Sequence, residues 1–235
     1  MSANDLRAAL DAAASLPPQA RRKAARTIGH LAMTVERSGT DDPDEIDLAI
    51  RALGLGAAVH SYPQKWLMAR AWLMQRRREL LGLEEPVVVA ERAATLDIEA
   101  GAVVLADASR DPAGLFAAPS PWHGAMNSDG FVGIALGSDG DVKVRVRVVS
   151  SPAPEPLAAE FRRLRDATPE AWLSVTTGAV AATGGGSKRL LLETANGDYR
   201  VAGFGLGSGR AAQLLVILAP GRPAGSLETT PELRL

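Results

Sequence analysis

The chain has 235 residues and nearly balanced charge, with 26 Lys and Arg against 27 Asp and Glu for a net charge of -1. No bulk field therefore draws it to nucleic acid or anionic lipid. It has no cysteine, which excludes disulfides, thiolate catalysis and cysteine-ligated metals.

Aromatic residues are 4% of a chain that is 46% hydrophobic, so Ala, Val and Leu must build the core. Asp5 and Asp11 stand where a signal peptide needs a basic start and an apolar run. No segment reaches 18 consecutive apolar residues. A soluble cytoplasmic protein without membrane contact is expected.

Residues 1–85 read as a bundle of four helices. Leu6, Ala9, Leu10 and Ala13 recur at helical spacing. Pro17 and Pro18 suit the first turn of a second helix, whose face is Ala24, Ile28, Leu31 and Val35 and whose stop is Gly39. In "DDPDEIDLAIRALG", Asp42 is a cap and Pro43 sits at the first helical position. Glu45 completes a capping box, and Gly54 marks the end.

The fourth segment runs from a Ser61 and Gln64 capping pattern to Gly82. Its apolar face is Trp66, Leu67, Leu73, Met74, Leu80 and Leu81. Met68 and Trp72 fall off that face and point to cover on a second side. Arg76, Arg77 and Arg78 fan around the helix at about 100° per residue, so they read as a solvated face and not as one phosphate grip.

From Pro86 the period changes to two. Strands are expected over 87–90, 96–99, 102–106, 131–136, 142–149, 172–176, 179–182, 189–194 and 199–204. The apolar run at 210–219 is open between strand and helix. "LDIEAGAVVLAD" from Leu96 matches "LSVTTGAVAATG" from Leu173, an offset of 77. "DGDVKV" from Asp139 matches "NGDYRV" from Asn196, an offset of 57.

Two landmarks in the same order point to an internal repeat, with 20 surplus residues (77 minus 57) in the first copy. The fold expected is α+β. An N-terminal helical bundle (1–85) precedes a mainly antiparallel β domain (86–235) of two similar units, about 86–152 and 170–220. Each unit is a four-stranded meander, and the two pack as a sandwich or barrel. Leu157, Phe161 and Leu164 predict an amphipathic crossover helix over 156–167 between them.

The surplus falls in "ADASRDPAGLFAAPSPWHGAMNSDG", the least regular stretch of the chain. The histidines His30, His60 and His123 have no metal-ligand spacing. "TGGGSK" at 183–188 lacks phosphate-loop spacing and reads as a flexible hairpin tip. No nucleophile elbow is present.

The reading is a non-enzymatic protein-binding protein, whether inhibitor, immunity-type protein or accessory subunit, with no cofactor and no metal. Its interaction candidates are Trp122, His123, Arg110, Asp111, Met68 and Trp72. One rival is a hydrolase or other enzyme with its site in the 107–129 loop. Another is a nucleic-acid-binding accessory protein using the stripe Lys143, Arg145 and Arg147.

Overall fold

A computed structural model describes residues 3–14, 18–57, 64–99, 101–112, 130–136, 139–168 and 170–222. The chain divides into two compact units, Met1–Glu85 and Pro86–Leu235.

The first unit contains α1 (Ala3–Ala14), α2 (Pro18–Ser38), α3 (Pro43–Ala57) and α4 (Gln64–Leu80). Asp42 caps α3 by accepting the Asp44 N–H at 2.9 Å. The Asp42 N–H goes to Thr40 Oγ1 at 3.2 Å, so Thr40 takes the part foreseen for Glu45. Gly54 does not end α3, which continues to Ala57. There the packing of Leu53 and Gly56 outweighs the weak helix propensity of glycine.

Trp66 is buried against Gly29 and Gly56; a Cβ at either glycine would lie 2.6 Å from its ring. Leu80 and Leu81, foreseen on the apolar face, are exposed, because α4 closes at Gly82 with the Leu83 N–H bonded to the Arg78 carbonyl. The basic run fans out as its spacing requires: Arg76 bonds Asp41, Arg77 pairs with Asp47, and Arg78 is buried and bonds Gln75.

The second unit is a β sandwich. Its strands are β1 (Val88–Ile98), β2 (Ala102–Asp107), β3 (Phe131–Ala135), β4 (Gly140–Val149), β5 (Leu164–Ala167), β6 (Ala171–Val175), β7 (Ala179–Thr183), β8 (Arg189–Glu193), β9 (Gly197–Leu206) and β10 (Gln213–Pro220). Sheet A has the order β1-β4-β10-β9-β5, with β6 also on β9; sheet B has the order β3-β2-β7-β8. Pairing is antiparallel except between β4 and β10.

One buried cluster joins the sheets, with Leu96, Val103, Leu105, Val144, Leu173, Val180, Leu214 and Val216 among its members. The ambiguous run at 210–219 is a single turn of 3-10 helix (Gly209–Ala211) followed by β10. β10 lies mid-sheet and is buried on both faces, which is why its residues show no alternation.

The four-stranded units are not meanders. In each, the first strand pairs with the fourth in sheet A and the second with the third in sheet B. Their registers correspond: Leu96 opposes Val142 as Leu173 opposes Tyr199. The Gly101 N–H bonds Asp139 Oδ1 at 2.7 Å, and the Gly178 N–H bonds Asn196 Oδ1 at 2.7 Å. Both glycines have positive φ, +63° and +75°. At the centre of sheet B, Leu105 pairs with Ala182, its own counterpart at the offset of 77. This is the geometry of a local two-fold axis.

The helix foreseen over 156–167 is one turn, α5 (Ala158–Phe161). Leu164, Asp166 and Ala167 instead pair with β9, whose edge offers the ladder hydrogen bonds that helical periodicity could not anticipate. "TGGGSK" is also more than a hairpin tip. Gly184 is buried and its carbonyl accepts the Glu99 N–H at 2.9 Å. A Cβ there would meet the Asp97 carbonyl and Ile98 Cδ1, both at 2.4 Å. Gly184→Ala is expected to lower stability by about 2 kcal/mol through overpacking against backbone, readable as a lower melting midpoint.

Candidate functional site

The loop between β2 and β3 is the place to build a site. Trp122 and His123 lie outside the described residues; Arg110 and Asp111 stand at its base, both exposed. β2 and β3 close with the pair Ala106 and Phe131, and β7 and β8 close with the corresponding pair Thr183 and Arg189. The first hairpin spends 24 residues on its connection (107–130), and the second spends five (184–188). The fold therefore needs only a short turn here, and 19 residues (24 minus 5) are surplus to it.

The base of this loop is firmly held. Asp107, 2% exposed, ends β2. Its Oδ1 accepts the Ser109 N–H at 2.9 Å, the Ser109 hydroxyl at 2.6 Å and the Thr177 hydroxyl at 2.7 Å. Its Oδ2 accepts the Thr176 N–H at 2.5 Å, the Thr176 hydroxyl at 3.1 Å and the Thr177 N–H at 3.0 Å.

Burial works to raise the Asp107 pKa, but the bonds from Ser109, Thr176 and Thr177 together outweigh it. They hold the carboxyl well below the usual carboxylate range. Arg189 Nη2 donates to the carbonyls of Ala108 at 2.8 Å and Arg110 at 3.3 Å. The Arg110 guanidinium lies 5.5 Å from the Phe131 ring centre and against Gly130, where a Cβ would be 2.9 Å from its Cζ. One end of the loop is thus packed on the other.

A second charged cluster overturns the proposed phosphate stripe. Glu160 on α5 accepts Arg147 Nη1 at 2.7 Å and Nη2 at 2.8 Å, and Arg145 Nη2 at 2.7 Å. Glu91 on β1 accepts Arg147 Nε at 2.5 Å. Burial acts to raise the Glu160 pKa, but Arg147, the Leu157 N–H and Arg145 together lower it below the ordinary value. Arg147 is 2% exposed.

Of the stripe, Lys143 alone is exposed. Two of three cations already have carboxylate partners, so binding to random DNA with a steep salt dependence is not expected. A filter-binding salt series would reveal it. Glu91 and Glu160 were not legible as partners because nothing local in the sequence relates them to Arg147.

A third cluster lies on β6 and β9. Asp198 accepts Ser174 Oγ at 2.6 Å and Arg222 Nε at 2.7 Å, and Arg222 stacks 4.4 Å from the Trp172 ring centre. The bonds from Arg222 and then Ser174 lower the Asp198 pKa. Arg200 Nε donates to Glu170 at 2.7 Å. In each cluster the neighbours hold the carboxylate as an ion that accepts bonds. Such groups fix structure and do not shuttle protons near neutral pH.

Among the described residues, no group of three or more His, Asp or Glu is arranged to hold a metal, and no helix is long and apolar enough to cross a membrane. On α4, Met68 is half-buried and Trp72 is 46% exposed.

The chain matches no protein-family model and no curated protein. Two solved structures are similar to it. ComJ from Bacillus subtilis, an inhibitor of the DNA degrading activity of NucA, is 13% identical with a TM-score of 0.45, covering 57% of this chain and 99% of ComJ. The protein of crocagin biosynthetic gene J is 17% identical with a TM-score of 0.40, covering 58% of this chain and 99% of that one.

Proposed function

We propose that this chain is a non-enzymatic protein-binding protein of inhibitor, immunity or accessory-subunit type. It engages its partner through the loop between β2 and β3, in a reducing cytosol that suits a chain without cysteine. The observation that carries this reading is the unequal cost of two equivalent hairpins: five residues suffice in one, and the other has 24 on a clamped base.

Ordering a loop on binding costs conformational entropy, and a rigid base removes part of that cost beforehand. Trp122 is flanked by Pro119 and Pro121 and followed by His123. It offers a large contact area with one hydrogen-bond donor, the properties of a binding hot spot. Arg110 and Asp111 supply charge beside it, and Met68 and Trp72 on α4 are the second candidate contact.

The test exchanges the loop for a short one. Residues 112–129 are replaced by a Gly-Ser turn, which keeps Asp107, Ser109 and Arg110. The melting midpoint is expected to stay within a few degrees while capture of a partner from source-cell lysate is lost.

Trp122→Ala sharpens the result. A hot spot loses capture with little change in melting. A tryptophan that plugs the β domain instead costs roughly 3–5 kcal/mol of stability. Retention of every partner by both variants would show the loop to be decoration.

A further inference from the structure

We infer that residues 150–163 form a strap over the outer face of sheet A, latched by Glu160, and that acid opens it as a unit while the two-sheet core stays folded. The topology requires a crossing. β4 ends at Val149 and β5 begins at Leu164, but β10 and β9 lie between them in the sheet. With strands about 4.8 Å apart, the chain must travel roughly 14 Å across them.

The register says which face it covers. Val144, Val146, Leu214 and Val216 belong to the inter-sheet core. Arg145 and Arg147 therefore point outward, in rows with their pairing partners Leu215 and Phe204, and Ile217 and Ala202. Glu160 bonds both arginines, so the strap passes on this outer side. Leu215 and Ile217 are 0% exposed, Ala202 2% and Phe204 6%. The strap brings its own buried groups, Pro154, Pro156 and Phe161.

The latch is electrostatic. The charged groups facing Glu160 are Arg145 and Arg147 from β4, with Glu91 of β1 reaching the same arginines from the edge. From β10 the neighbours in register are the apolar Leu215 and Ile217. From α5 itself the Leu157 N–H bonds Glu160 Oε2 at 3.0 Å.

Two cations against two anions leave the network neutral, and protonating Glu160 leaves buried Arg147 with half its partners. Breaking one side of a buried pair is far costlier than omitting the pair. The sign follows: a carboxylate held below its ordinary pKa contributes stability above the unfolded value, and that stability is lost as pH falls through the folded value. Sub-global opening of this kind is the ordinary way a weakly tied segment leaves a stable core.

Hydrogen exchange on the full chain tests it. In Glu160→Gln at neutral pH, amides of residues 157–163 are expected to exchange at least about a hundredfold faster than in the native chain. Those of Val144–Val148 and Leu214–Leu218 should keep their protection. Glu91→Gln, which leaves the strap's own carboxylate intact, should produce a much smaller change at 157–163.

Unchanged exchange at 157–163 in Glu160→Gln, or acceleration in step with the core strands, overturns the latch. If Glu160→Gln does not fold, acid titration of the native chain decides. Exchange at 157–163 before the core strands supports the strap, and simultaneous exchange rejects it.

Discussion

Asp107→Ala is expected to destabilise the β domain by about 3 kcal/mol, because it strands up to six donors at one end of β2. Hydrogen bonds to a charged acceptor each contribute about 1.5–3 kcal/mol. Water reaching the exposed Thr176, Thr177 and Ser109 recovers part of that loss. For a domain of this size the melting midpoint should fall by roughly 6–12 °C. Asp107→Asn, which keeps one acceptor oxygen, should cost less.

The same carboxylate dictates a pH signature. Its folded pKa lies far below the unfolded value of about 3.9. Its contribution is therefore whole above that value and fades as pH falls below it. The stability gap between the native chain and Asp107→Asn, from denaturant melts, should be flat from pH 7 to about 5 and narrow below about pH 4. A gap that stayed constant into strong acid would mean that the charge contributes nothing.

The second large effect concerns the equivalence of the two β units. Leu96 and Leu173 occupy the same register position on β1 and β6, and both are 0% exposed within one core. Leu96→Ala and Leu173→Ala should each cost about 3–5 kcal/mol, from lost transfer energy plus the cavity left behind. The two losses should agree within about 1 kcal/mol, since the site's ability to collapse is what varies. A small loss at Leu96 beside a large one at Leu173 would show that β1, an edge strand, is not a full partner in the core.

Several features were legible because they are local. Gly101 and Gly178, with Asp139 and Asn196, announce turns by chemistry that acts within a few residues, and the repeat followed from reading those turns twice. The helices of the first 85 residues follow from 3.6-residue periodicity and from caps such as Asp42. The 20 surplus residues of the first copy could be counted before any coordinate was known. The structure divides them as 19 in the loop at 107–130 and one in the 136–139 turn, four residues against three at 194–196.

What the tertiary structure decided is everything that depends on which strands become neighbours. Leu157, Phe161 and Leu164 have helical spacing, yet the free edge of β9 took the end of that segment as β5. β10 has no alternation because both its faces are covered, a fact set by its place between β4 and β9. Arg145 and Arg147 looked like a phosphate stripe until Glu91 and Glu160 arrived from distant positions to neutralise them. Periodicity and turn chemistry are encoded within a few residues. Charge partnership and strand order are encoded by contacts between residues 13 to 56 positions apart, and those exist only once the chain has folded.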